Sequence, residues 1–315
     1  MPDADWRAGS FSRSRPSAET LEWVAASIGT GGGRVTGCRR MTGGVSSVVH
    51  RITVERGGVR SSYVLRQYPG ALGLNEAVRQ EVENLAVVAD SGLPVPRVIA
   101  ADIDGDRTGG APSVLMTHLP GHVDLTPADP GSWLRAIAEL AARVHALDLP
   151  APMLRPWQDS WIAPRHELRV PAGAHQHGVW TAAFAVIRET PASVPAVFLH
   201  GDFLPVNVLW SRGKVTGLVD WNGIHRGPRA VDIGHCRRYL AALHSPEWAQ
   251  QLRSQYELII GQSLDPWWDI YALLHHDDQQ PAWIRRQVAG RRTFDETGAT
   301  QRVETTLKDA LRRLG

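Results

Sequence analysis

Cysteine is scarce in this chain: two residues, Cys38 and Cys236, among 315. Far apart in sequence, they argue against a disulfide scaffold and suit a reducing cytosol, so a cytoplasmic protein is expected. Long apolar runs are missing as well. No stretch approaches the ~20 residues of a membrane span, and the polar opening MPDADWRAGSFSRSRPS has no apolar h-region, so no signal peptide is expected. A dominant charge is also absent: 34 Lys and Arg against 32 Asp and Glu, interspersed, leave a net charge of +2. No basic face emerges, which argues against a nucleic-acid partner. No GK[ST] precedes a helix, which excludes a Walker loop. The histidines that recur in pairs (His175 and His177, His225 and His235, His275 and His276) lack acidic or thiol partners at ligand spacing, which argues against zinc.

What is present is an ordinary globular composition, 43% hydrophobic and 21% charged, with enough chain for one large domain or two lobes. Residues 1–16 are polar and read as frayed. A helix is expected from Ser17, with Leu21, Val24 and Ile28 on one face, ended by GTGGG at 29–33. VVHRITV (48–54) alternates, Gly57-Gly58 signals a hairpin, and SSYVLRQY (61–68) is the return strand. Residues 75–90 have helical spacing, Gly92 stops them, and LPVP forces an extended exit. PSVLMTHL (112–119) reads as a strand. From Gly121 the character changes: WLRAIAELAARVHAL (133–147) is an amphipathic helix with Ser132 as its expected N-cap. Residues 150–177 are Pro-rich and irregular. Short strands return at 196–199, 207–210 and 215–219, and Ser245-Pro246 and Asp265-Pro266 start further helices. The pattern predicts an α+β chain of two lobes: residues 1–120, β-rich with one main helix, and residues 121–315, mostly helical.

The stretch VFLHGDFLPVNVLW (197–210) places His200, Asp202 and Asn207 between apolar runs, where polar groups require partners. Thirteen residues after Asn207, the strand KVTGLV ends in Asp220-Trp221. Two carboxylates and a carboxamide are thus delivered at the ends of adjacent short strands. Phosphoryl transfer from a nucleotide uses such a set. One carboxylate takes the proton of an attacking hydroxyl, and oxygen ligands hold Mg²⁺ against the phosphates.

The set resembles the catalytic loop of the aminoglycoside phosphotransferase and choline kinase family, which shares the bilobal protein-kinase-like fold; the resemblance spans roughly residues 40–240. It implies Asp202 as catalytic base, Asn207 and Asp220 as Mg²⁺ ligands, and His200 as a supporting member of the catalytic loop. MTGGVSSVVHRITV (41–54) would be the hairpin over the phosphates of ATP or GTP, with Gly43 and Gly44 allowing close backbone approach and Ser46 and Ser47 adding donors. Arg66 stands where most kinases carry Lys, with Glu81 as its partner and Glu83 as the competitor. VLMTHLPG (114–121) resembles the interlobe hinge: Met116 behind the base, and backbone groups of Thr117 and Leu119 on the adenine edge. Asp232 and His145 match family positions expected to be structural. Trp267, next to Trp268, and Asp277 and Asp278 stand where the family builds its acceptor pocket, although helix packing and helix-end charges explain them equally well.

The expected activity is transfer of a γ-phosphate to a hydroxyl of a small acceptor such as an antibiotic, sugar or amino alcohol, by a monomer or dimer. Two alternatives are a catalytically dead nucleotide-binding protein and a metallohydrolase built on His-x-Asp. The region after residue 240 carries about as many arginines as acids, which does not favour a strongly cationic acceptor.

Overall fold

The computed structural model describes residues 15–42, 47–70, 73–149, 168–189 and 193–314. The chain separates into two compact units, Met1–Pro120 and Gly121–Gly315.

In the first unit, α1 (Ala18–Ser27) is followed by β1 (Arg34–Arg40), β2 (Val48–Arg56), β3 (Val59–Gln67), α2 (Asn75–Val88), β4 (Val98–Asp102) and β5 (Ser113–Thr117). Ser17 caps α1 by accepting the Thr20 N–H at 3.1 Å. The strands form one antiparallel sheet in the order β1-β2-β3-β5-β4. Period-2 alternation on β2 sends Val48, Ile52 and Val54 inward. Gly57 and Gly58 both have positive φ, +57° and +78°, which suits the tight β2–β3 turn. Trp23, Val24 and Ile28 of the α1 region pack with Ile52, Val54, Leu65 and Leu115 of the sheet into one core. α2 packs against β4 and β5. The strands not expected from the pattern, β1 and β4, are the two edges of the sheet. Neither shows clean alternation, because an edge is buried irregularly.

The second unit contains α3 (Pro130–His145), α4 (His177–Arg188), β6 (Ala196–Leu199), β7 (Val208–Ser211), β8 (Lys214–Leu218), β9 (His225–Pro228), α5 (Ala230–Leu243), α6 (Pro246–Ile260), α7 (Pro266–Leu273), α8 (Gln280–Val288) and α9 (Ala299–Arg312). β6 pairs with β9 and β7 with β8, both antiparallel. α3 starts earlier than expected. Asp129, not Ser132, is its N-cap, accepting the Ser132 N–H at 3.1 Å, with Pro130 at the first helical position. β7 begins one residue late, because Pro205–Asn207 form a 3₁₀ turn. Asp265 caps α7 as expected, accepting the Trp267 N–H at 2.8 Å. Of the Pro-rich stretch 150–177, residues 150–167 lie outside the described residues. Among the described residues no helix is long and apolar enough to cross a membrane.

α5 is buried almost all round and packs against α6, α7 and α9, which identifies it as the central helix of this unit. It is pinned by a buried carboxylate: Asp269 of α7, 1% exposed, is paired with Arg237 of α5 and with Arg313 just beyond α9. Removing one member of such a group strands the remaining charge. Asp269→Ala is therefore expected to reduce unfolding stability by about 3–5 kcal/mol. Arg313→Ala, whose side chain is 22% exposed, should cost clearly less. Urea midpoints of the two variants decide this.

Candidate active site

β6 delivers His200 into a fully buried position. Both of its ring nitrogens have partners: Nε2 lies 3.1 Å from the Val219 carbonyl oxygen, and Nδ1 accepts the Asp202 N–H at 3.3 Å. The second bond makes Nδ1 the acceptor, so the proton sits on Nε2 and the ring is neutral. Burial pushes its pKa down, against the opposing charges of Asp232 and Asp220. The imidazole packs on Trp221 with centroids 4.5 Å apart. His200 thus ties Asp202 to the residue preceding Asp220. Its contacts are those of a positioning residue. With both nitrogens engaged it has no lone pair for a metal, which removes the metallohydrolase reading.

The two segments meet at glycines. Gly201 has φ +80°, and a Cβ there would lie 1.9 Å from the carbonyl oxygen of Gly223, in the turn after Asp220. Only a residue without a side chain lets the segments carrying Asp202 and Asp220 approach this closely.

Asn207 closes the loop. Its Nδ2 donates to the Asp202 carbonyl oxygen at 2.9 Å and to the Asp202 carboxylate at 3.0 Å, which turns its Oδ1 away from Asp202. Its own carbonyl accepts the Val219 N–H at 2.9 Å. Asp220 is one of two non-glycine residues with positive φ (+68°) among those described, and it accepts the Asn222 amide at 3.3 Å. Burial, together with the charge of Asp220, raises the Asp202 pKa to about 7 despite the bond from Asn207. The Asp202 and Asp220 carboxylates, together with the Asn207 amide oxygen, form a donor set suited to a hard divalent cation shared with phosphate oxygens. Zinc would require more nitrogen or sulfur ligands, and no group of three or more His, Cys, Asp or Glu at metal spacing occurs among the described residues.

Under the loop lies Asp232 of α5, fully buried. It accepts the N–H of His200 at 2.8 Å and of Gly201 at 2.9 Å, and it lies 3.3 Å from His145 Nε2. His145 Nδ1 in turn contacts the Tyr256 hydroxyl at 2.6 Å. Burial alone would raise the Asp232 carboxyl, but the His145 bond and the surrounding imidazoles outweigh it and hold the pKa at about 2.

The first unit contributes a second constellation. Arg66 on β3 donates from Nη1 to Glu81 Oε1 at 2.8 Å and from Nε to Ser47 Oγ at 2.7 Å. Tyr68 donates to the other Glu81 oxygen at 2.7 Å. Glu81, not Glu83, is thus the partner of Arg66, and all four groups are buried.

The model of the Phosphotransferase enzyme family (APH) matches residues 37–267. The chain belongs to the phosphotransferase enzyme family. Its fold is that of solved members. A thermostable mutant of aminoglycoside phosphotransferase APH(4)-Ia, in a ternary complex with AMP-PNP and hygromycin B, superposes with a TM-score of 0.59 at 16% identity over 94% of this chain and 98% of the other. Macrolide 2′-phosphotransferase MphH from Brachybacterium faecium gives 0.57 at 17% identity over 91% and 97%. A homoserine kinase of Mesorhizobium japonicum is 27% identical over 161 residues, 47% of this chain and 49% of that protein, so the match spans about half the length of this curated relative.

Within this phosphotransferase fold the expected residues divide. Asp202, Asn207, Asp220 and His200 come together in the second unit. Arg66, Glu81 and Ser47 come together in the first, where Ser47 holds Arg66 instead of offering its hydroxyl outward. Gly43, Gly44 and Ser46 lie outside the described residues. Met116 is buried on β5. The Thr117 N–H donates to the Arg97 carbonyl at 2.9 Å, so of its backbone groups the N–H is already engaged. The half-exposed Leu119 keeps its backbone groups without a partner among the described residues. Trp267 is a correction. It is 6% exposed, stacks on Tyr271 and bonds the Val186 carbonyl, so it packs α7 against α4. Asp277 and Asp278 are exposed. The first accepts the Gln279 and Gln280 N–H groups at the start of α8, and the second holds the Ala172 N–H at 2.7 Å. Sequence reasoning missed Tyr68 and Tyr256, whose hydroxyls carry no motif, and the part played by Gly201, whose place between His200 and Asp202 was the available signal.

Two outcomes follow from this geometry. Gly201→Ala should lower turnover by roughly a hundredfold or more, the effect of displacing a catalytic group by about 1 Å. Gly213→Ala, with φ +71° and no atom within 4 Å of its Cβ, should cost only about 1 kcal/mol of stability. Parallel rate and melting measurements separate the two. Asp232 supplies a pH signature. Its folded pKa of about 2 lies below the ordinary 3.8, so its ionised form stabilises the fold above pH ~4, and that contribution fades as the pH falls toward ~2. The wild-type Tm should therefore drop more steeply across this window than the Tm of Asp232→Asn, as read by calorimetry.

Proposed function

We propose that this chain transfers the γ-phosphoryl group of ATP or GTP to a hydroxyl of a small acceptor. The observation that carries this reading is the clamp on Asp202: Asn207 bonds both its backbone and its carboxylate, while Asp220 is brought beside it through His200 and the Gly201–Gly223 crossing. Family membership and the fold shared with APH(4)-Ia, solved with AMP-PNP and hygromycin B, agree with it.

In this reading the acceptor hydroxyl loses its proton to Asp202 as its oxygen attacks the γ-phosphorus. The new O–P bond forms as the bond from that phosphorus to the β–γ bridging oxygen breaks, and the nucleoside diphosphate leaves. A pKa near 7 suits Asp202 to taking and releasing a proton near neutrality. A divalent cation such as Mg²⁺, held by the Asn207 amide oxygen and the Asp220 carboxylate, would neutralise charge on the phosphates. Arg66, held by Glu81 and Ser47, is a fixed guanidinium of the kind that binds a phosphate oxygen. Leu119 offers backbone groups to the base. The acceptor is a small hydroxyl compound such as an antibiotic, sugar, amino alcohol or related metabolite.

Asp202→Asn keeps size and removes the proton-accepting charge. It should retain Mg·ATP binding while losing about 10²–10⁴-fold in turnover. Asp220→Asn removes charge from the cation site, so Mg·ATP binding should weaken too. At ligand near 100 times Kd, stabilisation is about 2.7 kcal/mol; wild type and Asp202→Asn should reach this in a thermal shift, and Asp220→Asn should fall short. Full turnover by Asp202→Asn would remove it as the base.

A further inference from the structure

α5 carries adjacent arginines in contrasting environments. Arg237 is paired with Asp269. Arg238 is also buried, 7% exposed, yet no carboxylate lies within ion-pair distance of it among the described residues; its one hydrogen bond runs from Nη1 to the Ala272 carbonyl oxygen at 3.2 Å. A guanidinium has five N–H donors. The others have no protein partner, and none of them is sealed from solvent. A buried cation without a counter-charge is costly unless something offsets it. The carboxylates whose charge reaches Arg238 are Asp277 and Asp202. Asp277 is exposed and occupied at the start of α8, whereas Asp202 is the catalytic carboxylate.

Tyr239 lies next to it, 4% exposed, with a hydroxyl that has no partner among the described residues. It stands two turns along the same face of α5 from Asp232, the residue that holds the backbone of His200 and Gly201. Asp202 and the half-buried Arg291 are the charges that act on it. His276, 1% exposed, has a buried Nδ1 without a partner and senses the charge of Arg238. α5 meets the loop that carries Asp202, through the bonds of Asp232 to His200 and Gly201 and through packing against the 205–207 turn, and it brings a guanidinium without a carboxylate partner and an unsatisfied hydroxyl to that side, with positive charge added by Arg291. A polycationic acceptor would be repelled there, and an anionic group would supply the missing counter-charge.

We propose that Arg238 and Tyr239 form an anion-binding acceptor subsite beside Asp202, so that the phosphorylated compound carries a carboxylate or phosphate group close to its reacting hydroxyl. This rests on the phosphotransfer reading and narrows its acceptor class.

The test is Mg·ATP-dependent ADP release with a matched series in which one short carbon skeleton bears, besides its hydroxyl, a carboxylate, a phosphate monoester, a carboxamide or an ammonium group. An anionic member should exceed the carboxamide by about tenfold or more in kcat/KM, with the ammonium member lowest; which anion leads identifies the source. Arg238→Met should abolish that preference through acceptor KM while leaving the KM for ATP unchanged, and Arg238→Lys should retain part of it. Tyr239→Phe, which keeps the ring, should raise acceptor KM several-fold and serves if Arg238→Met does not fold. Equal turnover of anionic and carboxamide members overturns the proposal, as does a loss confined to ATP KM. If no member is turned over, the same series is read by thermal shift with Mg·AMP-PNP: stabilisation by the anionic members alone supports the subsite, and equal or absent stabilisation overturns it. A wild type that is not stabilised by Mg·nucleotide overturns the phosphotransfer reading itself, whereas nucleotide stabilisation without anion preference overturns the subsite alone.

Discussion

The second unit is organised around one buried carboxylate. Asp232 has no access to water, so its charge is tolerable only because donors surround it: two backbone amides and His145. Those amides belong to His200 and Gly201, so the bonds that satisfy Asp232 also fix the start of the loop that carries Asp202. His145 and Tyr256 extend the anchoring to α3 and α6. The position of Asp202 is thereby determined by the helical core and not by the loop's own short strands, which could not hold it alone.

From that anchor the site is assembled by mutual constraint. His200 binds toward Asp202 on one nitrogen and toward Val219 on the other, and the Gly201–Gly223 contact leaves no room for the segments to slide. Asn207 then fixes Asp202 from the opposite side. Rigidity comes from the polar atoms having few alternative partners. The same logic makes Arg238 conspicuous: its neighbour Arg237 has a carboxylate, Asp269, within ion-pair distance, and Arg238 has none among the described residues.

Much of this was legible in the sequence where a local rule applied. The β2–β3 hairpin follows from alternation and two glycines, α1 from Ser17, and the Asp202, Asn207 and Asp220 set from spacing between apolar runs. What was not legible depended on distant partners. Edge strands β1 and β4 show no clear period because only part of each face is covered. Ser132 was a reasonable cap by composition, but Asp129 with Pro130 behind it starts the helix one turn earlier. The engagement of the Thr117 N–H by the Arg97 carbonyl depends on the segment entering β4, which no local pattern announces. Trp267 carried too little local context to separate core packing from a pocket wall. Arg237 and Arg238 are indistinguishable as letters; only the tertiary fold gives one a carboxylate and withholds it from the other.

Asp220 stands in the left-handed region, φ +68° and ψ +61°, where an L-residue with a Cβ is held at a cost of about 1–2 kcal/mol that glycine avoids. The chain accepts that cost once, on folding, through β8 on one side and the 221–223 turn on the other. The carboxylate is consequently aimed before any cation or phosphate arrives. In the proposed reading, a divalent cation held by Asp220 would meet a backbone conformation that the fold already sets, which lowers the ordering cost of binding.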